Sequence, residues 1–363
     1  ERDMTRIIAL ALAAASFTGA GHAASLPGFL TADQGADAIL FTNDTNGDGD
    51  GNDPGETRVF FDARSAAGLP GGTTVATNIF TLTQGTDGSV YAGDGGSDTV
   101  YRLRDLDGDG TANGVGEAEV WFSADNAGGL PLLTPNGVAE GPDGAVYVVE
   151  ADVLSAPSGD FVYRTQDLNG DGDANDAGEA TKWLDLKALN PNASAFEISF
   201  DGDTAYIADT VGGDTNVVYA ARDIDGDGTI GTGEVQPFID GDNPFGVAVD
   251  FAMDTAAGSV LLWEFLDFSG PQSLWSLTDL DGSGSIDAAG EVAELWNTEF
   301  LDPAFDSFAG FGLAANEDGE VLLTSNGGDP NEDFLAFLRD LDGNGDFFGS
   351  GEASVALSRL GEG

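Results

Sequence analysis

The feature that most constrains the fold of this chain is a unit that recurs six times along it. Each copy has a short apolar strand ending in Asp, a loop rich in Asp and Gly, a Gly-Glu pair and a second apolar strand. The copies stand about 56 to 62 residues apart, the length of one four-stranded propeller blade with an enlarged loop. The leading Asp residues are Asp44, Asp105, Asp167, Asp223, Asp279 and Asp340.

The remainder of each unit predicts a second hairpin. Five stretches join a short apolar run to a longer one across a turn, and four of them carry Asp-Gly at or near that turn, a strong hairpin signal. Residues 72–363 therefore predict five complete four-stranded antiparallel blades. The first repeat has its outer hairpin and one short strand around Phe29 to Ala32. It leaves two readings open, a three-stranded blade or a lost tail, and few residues remain after the last strand to close the ring. The predicted fold is an all-β, six-bladed propeller.

Within the six loops, oxygen-bearing residues fall at fixed offsets from the leading Asp. Positions 1, 3 and 5 carry Asp, Asn or Ser, position 6 is always Gly, and a Glu closes the loop. Calcium takes 6–8 oxygens, and a Gly at position 6 permits the sharp turn that presents the carbonyl of position 7. The predicted ligands are Asp44, Asn46, Asp48, Asp50 and Glu56; Asp105, Asp107, Asp109, Thr111 and Glu117; Asp167, Asn169, Asp171, Asp173 and Glu179; Asp223, Asp225, Asp227, Thr229 and Glu234; Asp279, Asp281, Ser283, Ser285 and Glu291; and Asp340, Asp342, Asn344, Asp346 and Glu352.

This pattern resembles the calcium loop of EF-hands and dockerins. Five loops carry the Glu one residue late, and strands rather than helices flank them, so a helix-opening switch is not implied. Asn52, Asn113, Asn175 and Asp287 stand where a ninth ligand is expected. Two carboxylates 4 Å apart repel by about 4 kcal/mol at an effective dielectric of 20, so bare polar turns are disfavoured. The sequence predicts about six calcium ions, and magnesium is less suited because it prefers strict octahedral sites.

A second motif lies on a predicted inner strand. The segment NGVAEGPDGAVYV, which begins at Asn136, resembles the inner-strand motif of six-bladed propellers of the NHL and gluconolactonase-like group. This resemblance implies a catalytic metal in the central tunnel, held by Glu, Asn and Asp at the starts of inner strands. Glu197 and Asp306 are the best carboxylates for such a site beside Asn136. The counterparts of Asn136 are Phe80, Phe245 and Phe311, with Ser194 in the remaining blade, which favours an apolar plug over a hydrolytic site.

The N-terminal residues predict export. Residues 1–24 read as a signal peptide, with a basic Arg6, an apolar stretch and a Gly-His-Ala cleavage site, and residues 1–3 stand before the first Met. Residues 25–363 are expected to form one propeller domain outside the cell or in the periplasm. No later segment is apolar enough to span a membrane.

Composition excludes several chemistries. The chain has no Cys, and its one His, His22, lies in the predicted leader, so zinc hydrolases, haem and Cys or His catalysis are not expected. The net charge of -52 argues against nucleic acid as a partner. Acids near strand ends, Asp94, Glu150, Asp152, Asp209 and Glu264, are expected to be solvated.

Three functional hypotheses follow. The first is a secreted bacterial calcium-binding propeller that serves as a non-enzymatic binding or scaffold protein, with an extracellular protein or polysaccharide as ligand. The alternative is a calcium-dependent hydrolase of the lactonase or phosphoesterase type, with a metal in the tunnel. The third is an acidic surface protein adapted to salt, with loops only partly filled. We favour the first, because phenylalanines occupy the positions where tunnel ligands are expected.

Overall fold

The computed structural model describes most of the chain. The described ranges are 10–11, 28–33, 37–64, 78–151, 160–210, 216–250, 252–264, 272–300, 310–316, 318–325 and 334–358. Within them the only helices are 3-10 turns at Leu186–Ala188, Ala289–Glu291 and Thr298–Phe300. No helix in the described part has the length and apolar character needed to cross a membrane.

Within the described ranges, twenty-four strands form six sheets of four. The strands of the first three blades are β1 (Leu10–Ala11), β2 (Phe29–Asp33), β3 (Ala38–Thr42) and β4 (Thr57–Asp62); β5 (Ile79–Gln84), β6 (Val90–Asp94), β7 (Thr99–Leu103) and β8 (Ala118–Ser123); and β9 (Pro135–Glu140), β10 (Val146–Glu150), β11 (Phe161–Thr165) and β12 (Ala180–Asp185). Those of the last three are β13 (Ala195–Asp201), β14 (Thr204–Asp209), β15 (Val217–Ala221) and β16 (Val235–Asp240); β17 (Met253–Ala256), β18 (Ser259–Trp263), β19 (Ser273–Leu277) and β20 (Val292–Asn297); and β21 (Gly310–Ala315), β22 (Val321–Ser325), β23 (Phe334–Leu338) and β24 (Ala353–Ser358).

Every sheet is an antiparallel meander in which sequence neighbours pair, which confirms the predicted six-bladed all-β propeller. The first blade has a fourth strand, because Leu10 and Ala11 pair with Thr31 and Leu30. Apart from that pair, the predicted leader of residues 1–24 lies outside the described residues. The leader and the single domain over residues 25–363 therefore stay predictions.

The apolar core lies between blades rather than inside any one of them. Each apolar cluster combines residues of two successive blades, as in the packing of Ile39 and Phe61 of blade 1 with Ile79 and Leu103 of blade 2. The cluster between blades 6 and 1 is the smallest among the described residues, and blade 1 contributes only Phe29 and Leu40 to it. Strands alternate side chains between two faces, so a blade packed on both sides needs apolar residues at successive positions.

Each outermost strand contains one β-bulge at its middle. In β4, Ile39 pairs with Phe61 and Leu40 with Val59, which leaves Phe60 unpaired. The same irregularity leaves one unpaired residue in each of the other outer strands, namely Trp121, Trp183, Phe238, Leu295 and Ala356. A bulge disrupts the ladder locally and re-aims the backbone groups of the extra residue.

Candidate metal centres and tunnel site

The six Asp-rich loops share one backbone conformation, organised by the leading Asp. In the first loop, Asp44 accepts hydrogen bonds from Gly47 N at 2.5 Å and from Gly49 N at 3.0 Å. Both glycines adopt positive φ, 80° and 97°, which a side chain would disfavour. The same pair of bonds joins Asp105 to Gly108 and Gly110, Asp167 to Gly170 and Gly172, Asp223 to Gly226 and Gly228, Asp279 to Gly282 and Gly284, and Asp340 to Gly343 and Gly345.

The closing Glu clamps the two ends of each loop. Glu179 accepts from Leu168 N at 3.0 Å and Asn169 N at 3.3 Å through Oε1, and from Asp176 N at 3.1 Å through Oε2. Glu56, Glu117, Glu234, Glu291 and Glu352 occupy the equivalent place. In loop 4 these N–H groups, Gly231 first, hold the pKa of Glu234 below its usual range. In the five loops where the Glu comes one residue later than in an EF-hand, as with Glu179, its carboxylate therefore still bonds to N–H groups on both sides of the loop.

Carboxylate oxygens converge inside the loops. In each of five groups, one oxygen per residue lies within 4.8 Å of the others. Ligands on opposite sides of a calcium ion, with Ca–O distances of about 2.3–2.6 Å, stand about that far apart, so the spacing fits a hard divalent cation. The groups are Asp48, Asp50 and Glu56; Asp105, Asp107 and Asp109; Asp171, Asp173 and Glu179; Asp223, Asp225 and Glu234; and Asp279, Asp281 and Glu291.

Two features of these loops were not anticipated. Asp50 and Asp173 contribute carboxylates to the groups, whereas only their backbone carbonyls were expected to point inward. Asp53 and Asp176, at position 10, bind the amide of the position-3 Asn at 2.6 Å and 2.7 Å. Negative charge is concentrated enough that neighbouring Asp281 raises the pKa of Asp287.

The position-9 asparagines do not face the loop interior. Asn113 Oδ1 accepts from Asp62 N at 2.8 Å, and Asn175 Oδ1 accepts from Ser123 N at 2.9 Å. Each of these donors belongs to the outer strand of the preceding blade. Asn52 Oδ1 likewise accepts from Ser358 N. The expectation that these three asparagines supply a ninth ligand is therefore wrong.

The residue at position 8 of each loop accounts for the β-bulges in the outer strands. Its backbone N–H donates to the carbonyl of the unpaired bulge residue in the outer strand of the preceding blade, at 2.6–2.8 Å in all six loops. The pairs are Ala112 with Phe60, Ala174 with Trp121, Ile230 with Trp183, Ile286 with Phe238, Phe347 with Leu295, and Gly51 with Ala356. Each loop is thus bonded to the outer strand of the preceding blade, all the way around the ring.

A second candidate site lies on the inner strands of the blades. In four inner strands the second residue is left unpaired by the partner strand; these residues are Phe80, Asn136, Phe196 and Phe311. Asn136 is the polar member of this set, and Phe196, not Ser194, is its counterpart in blade 4. Asn136 is buried, and its Nδ2 donates to Ala195 O at 3.3 Å.

Glu197 directly follows one of these bulges, on the strand next to Asn136. A Cβ added to Gly137 would lie 3.0 Å from Glu197 Cα, so the two strands touch here through their backbones. The hydrogen bond described for Glu197 comes from Ile198 N at 3.1 Å. Burial first, and then the negative charge of Asp254, raise the pKa of Glu197 well above its usual range.

Asp254, on the next inner strand, was missed by the sequence reasoning. It accepts from Ser199 Oγ at 2.8 Å, Thr255 N at 2.7 Å and Ala315 N at 2.8 Å, and thereby joins three inner strands. Burial raises its pKa, while these hydrogen bonds lower it. Its sequence context, an Asp inside a short apolar run, was the signal available.

The expected apolar plug is not seen among the described side chains. The Phe80 ring lies against the backbone of Gly95, where an added Cβ would stand 2.3 Å from it, and Phe245 packs into the cluster between blades 4 and 5. Asp306 and the side chain of Phe311 lie outside the described residues.

The acids at the ends of second strands are buried, contrary to expectation. Asp94 accepts from Asn78 N and Asp209 from Ser194 N, both at 2.6 Å, which ties each second strand to the start of its own inner strand. Glu150 and Glu264 are also buried, and Glu264 accepts from Trp275 Nε1 at 2.6 Å. Asp152 lies outside the described residues.

Comparisons with known proteins extend this picture. No protein-family model matches the chain, and no curated protein matches it in sequence. Solved structures match its fold. A gluconolactonase from Xanthomonas campestris is 17% identical, with a TM-score of 0.53 over 90% of this chain and 85% of that one. The PQQ-bound aldose sugar dehydrogenase of Streptomyces coelicolor is 15% identical, with a TM-score of 0.55 over 98% and 94%. A virginiamycin B lyase from Staphylococcus aureus is 14% identical, with a TM-score of 0.51 over 93% and 82%.

These likenesses establish the propeller fold. They also correct the functional expectation, because the propellers that the chain resembles are enzymes: a lactonase, a sugar dehydrogenase and a lyase. The prediction of a non-enzymatic binding or scaffold protein is wrong in this light. The alternative, a hydrolase with a site in the tunnel, agrees better with these neighbours.

Proposed function

We propose that the chain is a metal-dependent hydrolase that acts in the central tunnel on a lactone or a related ester. The observation that carries this proposal is Glu197, a half-buried residue on an inner strand, whose carboxyl has a raised pKa and whose backbone touches the neighbouring strand next to buried Asn136. Titratable groups perturbed in this way are typical of functional sites in clefts. The fold likeness to a gluconolactonase supports the reaction class.

The residues fit a hard cation. Asn136 uses its amide nitrogen to bind Ala195 O, so its amide oxygen is the atom that would bind a cation, and the strand that carries it touches the backbone of Glu197 at Gly137. A bound divalent cation supplies polarisation of a carbonyl and a lower pKa for a bound water. Because the pKa of the Glu197 carboxyl is raised, a cation competes with its proton, so we expect metal affinity to rise with pH.

Asp254 positions the site rather than acting in it. Its three hydrogen bonds to Ser199, Thr255 and Ala315 engage both carboxylate oxygens and fix the strand that carries Glu197 against the following strands. We therefore expect Asp254→Asn to lower both stability and turnover, whereas Glu197→Gln lowers turnover alone.

We propose a separate, structural role for the outer loops, each holding one calcium ion. Support comes from the carboxylate groups within 4.8 Å and from the raised pKa of Asp287, which is the mark of uncompensated negative charge. A protein of this size without Cys gains no cohesion from disulfides, and a metal bound only by the folded loops stabilises the fold through mass action.

The test compares Glu197→Gln with Glu140→Gln, a second Glu on an inner strand, whose oxygens bind Thr86 instead of facing another carboxyl. Hydrolysis of gluconolactone, an aryl ester and an aryl phosphate is followed in calcium, with melting curves for every variant. We expect Glu197→Gln to lose at least 100-fold in turnover with an unchanged melting temperature, on the order of the contribution of one catalytic group. Full activity of Glu197→Gln, or no hydrolysis by the unaltered protein, rejects the proposal.

A further inference from the structure

We propose that the loop from Asp44 to Glu56 is a clasp that closes the propeller ring between its last and first blades. Gly51 N donates to Ala356 O at 2.7 Å. One residue later, Asn52 Oδ1 accepts from Ser358 N at 2.9 Å and from Ser358 Oγ at 3.0 Å. The bonds to Ser358 join the first blade to a residue that lies 306 positions further along the chain.

The clasp differs from the other five loop contacts because fewer other interactions hold its two blades together. Asn175 makes the same pair of bonds to Ser123 N and Oγ, at 2.9 Å and 3.3 Å. The blades that it joins are also linked by the chain itself, through residues 124–134. Blades 6 and 1 have no such link, and among the described residues their shared apolar cluster is the smallest. The closure therefore depends more on the loop than any other blade junction does.

The residue at position 8 supports this special role. The other loops carry Ala, Ile or Phe there, whereas the first loop carries Gly51. A Cβ at Gly51 would lie 2.1 Å from Thr42 Cγ2 and 3.5 Å from Ala356 O. Thr42 is fully buried and bonded to Thr57 Oγ1 at 2.9 Å, so it has little room to move away. A glycine thus lets the loop approach blade 6 over the buried Thr42.

The clasp also has a consequence that rests on the proposed calcium binding. Gly51 and Asn52 stand between the predicted ligands Asp50 and Glu56, so an ion in this loop would order the segment that reaches Ala356 and Ser358. Ring closure would then be strengthened by calcium at one junction where no covalent link compensates for its loss.

Hydrogen exchange of the full chain in calcium, read by mass spectrometry, tests the clasp. Asn52→Ala removes two hydrogen bonds worth about 1 kcal/mol each, so we expect exchange in Ala353–Ser358 to rise about 10- to 30-fold. The matched control is Asn175→Ala, which removes the same two bonds, and a longer one from Nδ2 to Trp121 O at 3.4 Å, at a junction that the chain already links. We expect exchange in Ala118–Ser123 to rise less than about threefold there, because the blades stay apposed. Equal effects at the two junctions overturn the proposal.

A second pair of measurements distinguishes the clasp itself from its dependence on calcium. Gly51→Ala should reproduce the effect of Asn52→Ala on Ala353–Ser358, and a protected strand in Gly51→Ala speaks against the clasp. Chelation of the unaltered protein should also expose Ala353–Ser358 before Ala118–Ser123. If chelation leaves the order of exchange unchanged while Asn52→Ala still exposes the strand, the clasp stands and its dependence on calcium is overturned.

Discussion

Replacement of one closing glutamate tests how the loops are held. Glu179 is 4% exposed and binds three backbone N–H groups, two through Oε1 and one through Oε2. Glu179→Gln keeps the shape of the side chain but replaces one carboxylate oxygen by an NH₂ group, which cannot accept a hydrogen bond. That group must face either the N–H of Asp176 or those of Leu168 and Asn169. At least one hydrogen bond to a charged acceptor, worth about 1.5–3 kcal/mol, is lost, and a buried donor left unpaired costs about 1–3 kcal/mol more.

We therefore expect the free energy of unfolding to fall by about 3–5 kcal/mol in chelator, and by more in calcium, where a ligand is lost as well. Urea titration followed by tryptophan fluorescence measures this, since Trp121 O binds the same loop through Ala174 N. Glu299→Gln, an exposed site that loses the same charge, is the control and should change stability by less than about 0.5 kcal/mol. A loss below about 1 kcal/mol for Glu179→Gln in both conditions refutes the clamp.

Three further outcomes are expected. Burial and the nearby charge of Asp143 raise the pKa of Tyr147 to about 12 from 10, so the unfolded chain binds fewer protons between these values and stability falls as pH rises through them. Tyr147→Phe should flatten this alkaline slope in urea titrations, and an unchanged slope contradicts the assignment. Gly137→Ala places a Cβ 3.0 Å from Phe196 O and Glu197 Cα, so it should cost about 1–3 kcal/mol in a melt and reduce turnover; a neutral result argues against the close approach of the inner strands. If the chain is exported as its leader predicts, mass spectrometry of the secreted protein should find an N-terminus at Ser25, and retention of residues 1–24 contradicts this.

The fold was predictable because every blade repeats its own local signals. Asp-Gly turns stand between alternating runs, and Gly88 and Gly144 indeed adopt positive φ at such turns. The loop conformation was equally local, since Asp44 and its counterparts bind glycines three and five residues away. Contacts between residues this close in sequence can be predicted from the spacing of Asp and Gly, and the six copies made that spacing easy to recognise.

Contacts between blades were not predictable in the same way. The role of Asn52 depends on Ser358, and that of Asn175 on Ser123 in the previous blade, so both were assigned to the loop in which they stand. Asp94 and Asp209 were expected to be solvated because strand ends usually are, whereas here each satisfies a backbone N–H at the start of an inner strand. Glu197 was named from its position, but the Asp254 that acts on it belongs to the next blade.

An anomalous difference map from crystals grown in calcium tests the central claim, that the chain concentrates carboxylates in order to hold divalent ions. The account predicts a peak in each of the six outer loops, among the carboxylates of residues such as Asp171 and Glu179, and one more peak beside Asn136 and Glu197. Outer loops that are ordered but show no peaks at millimolar calcium would contradict it.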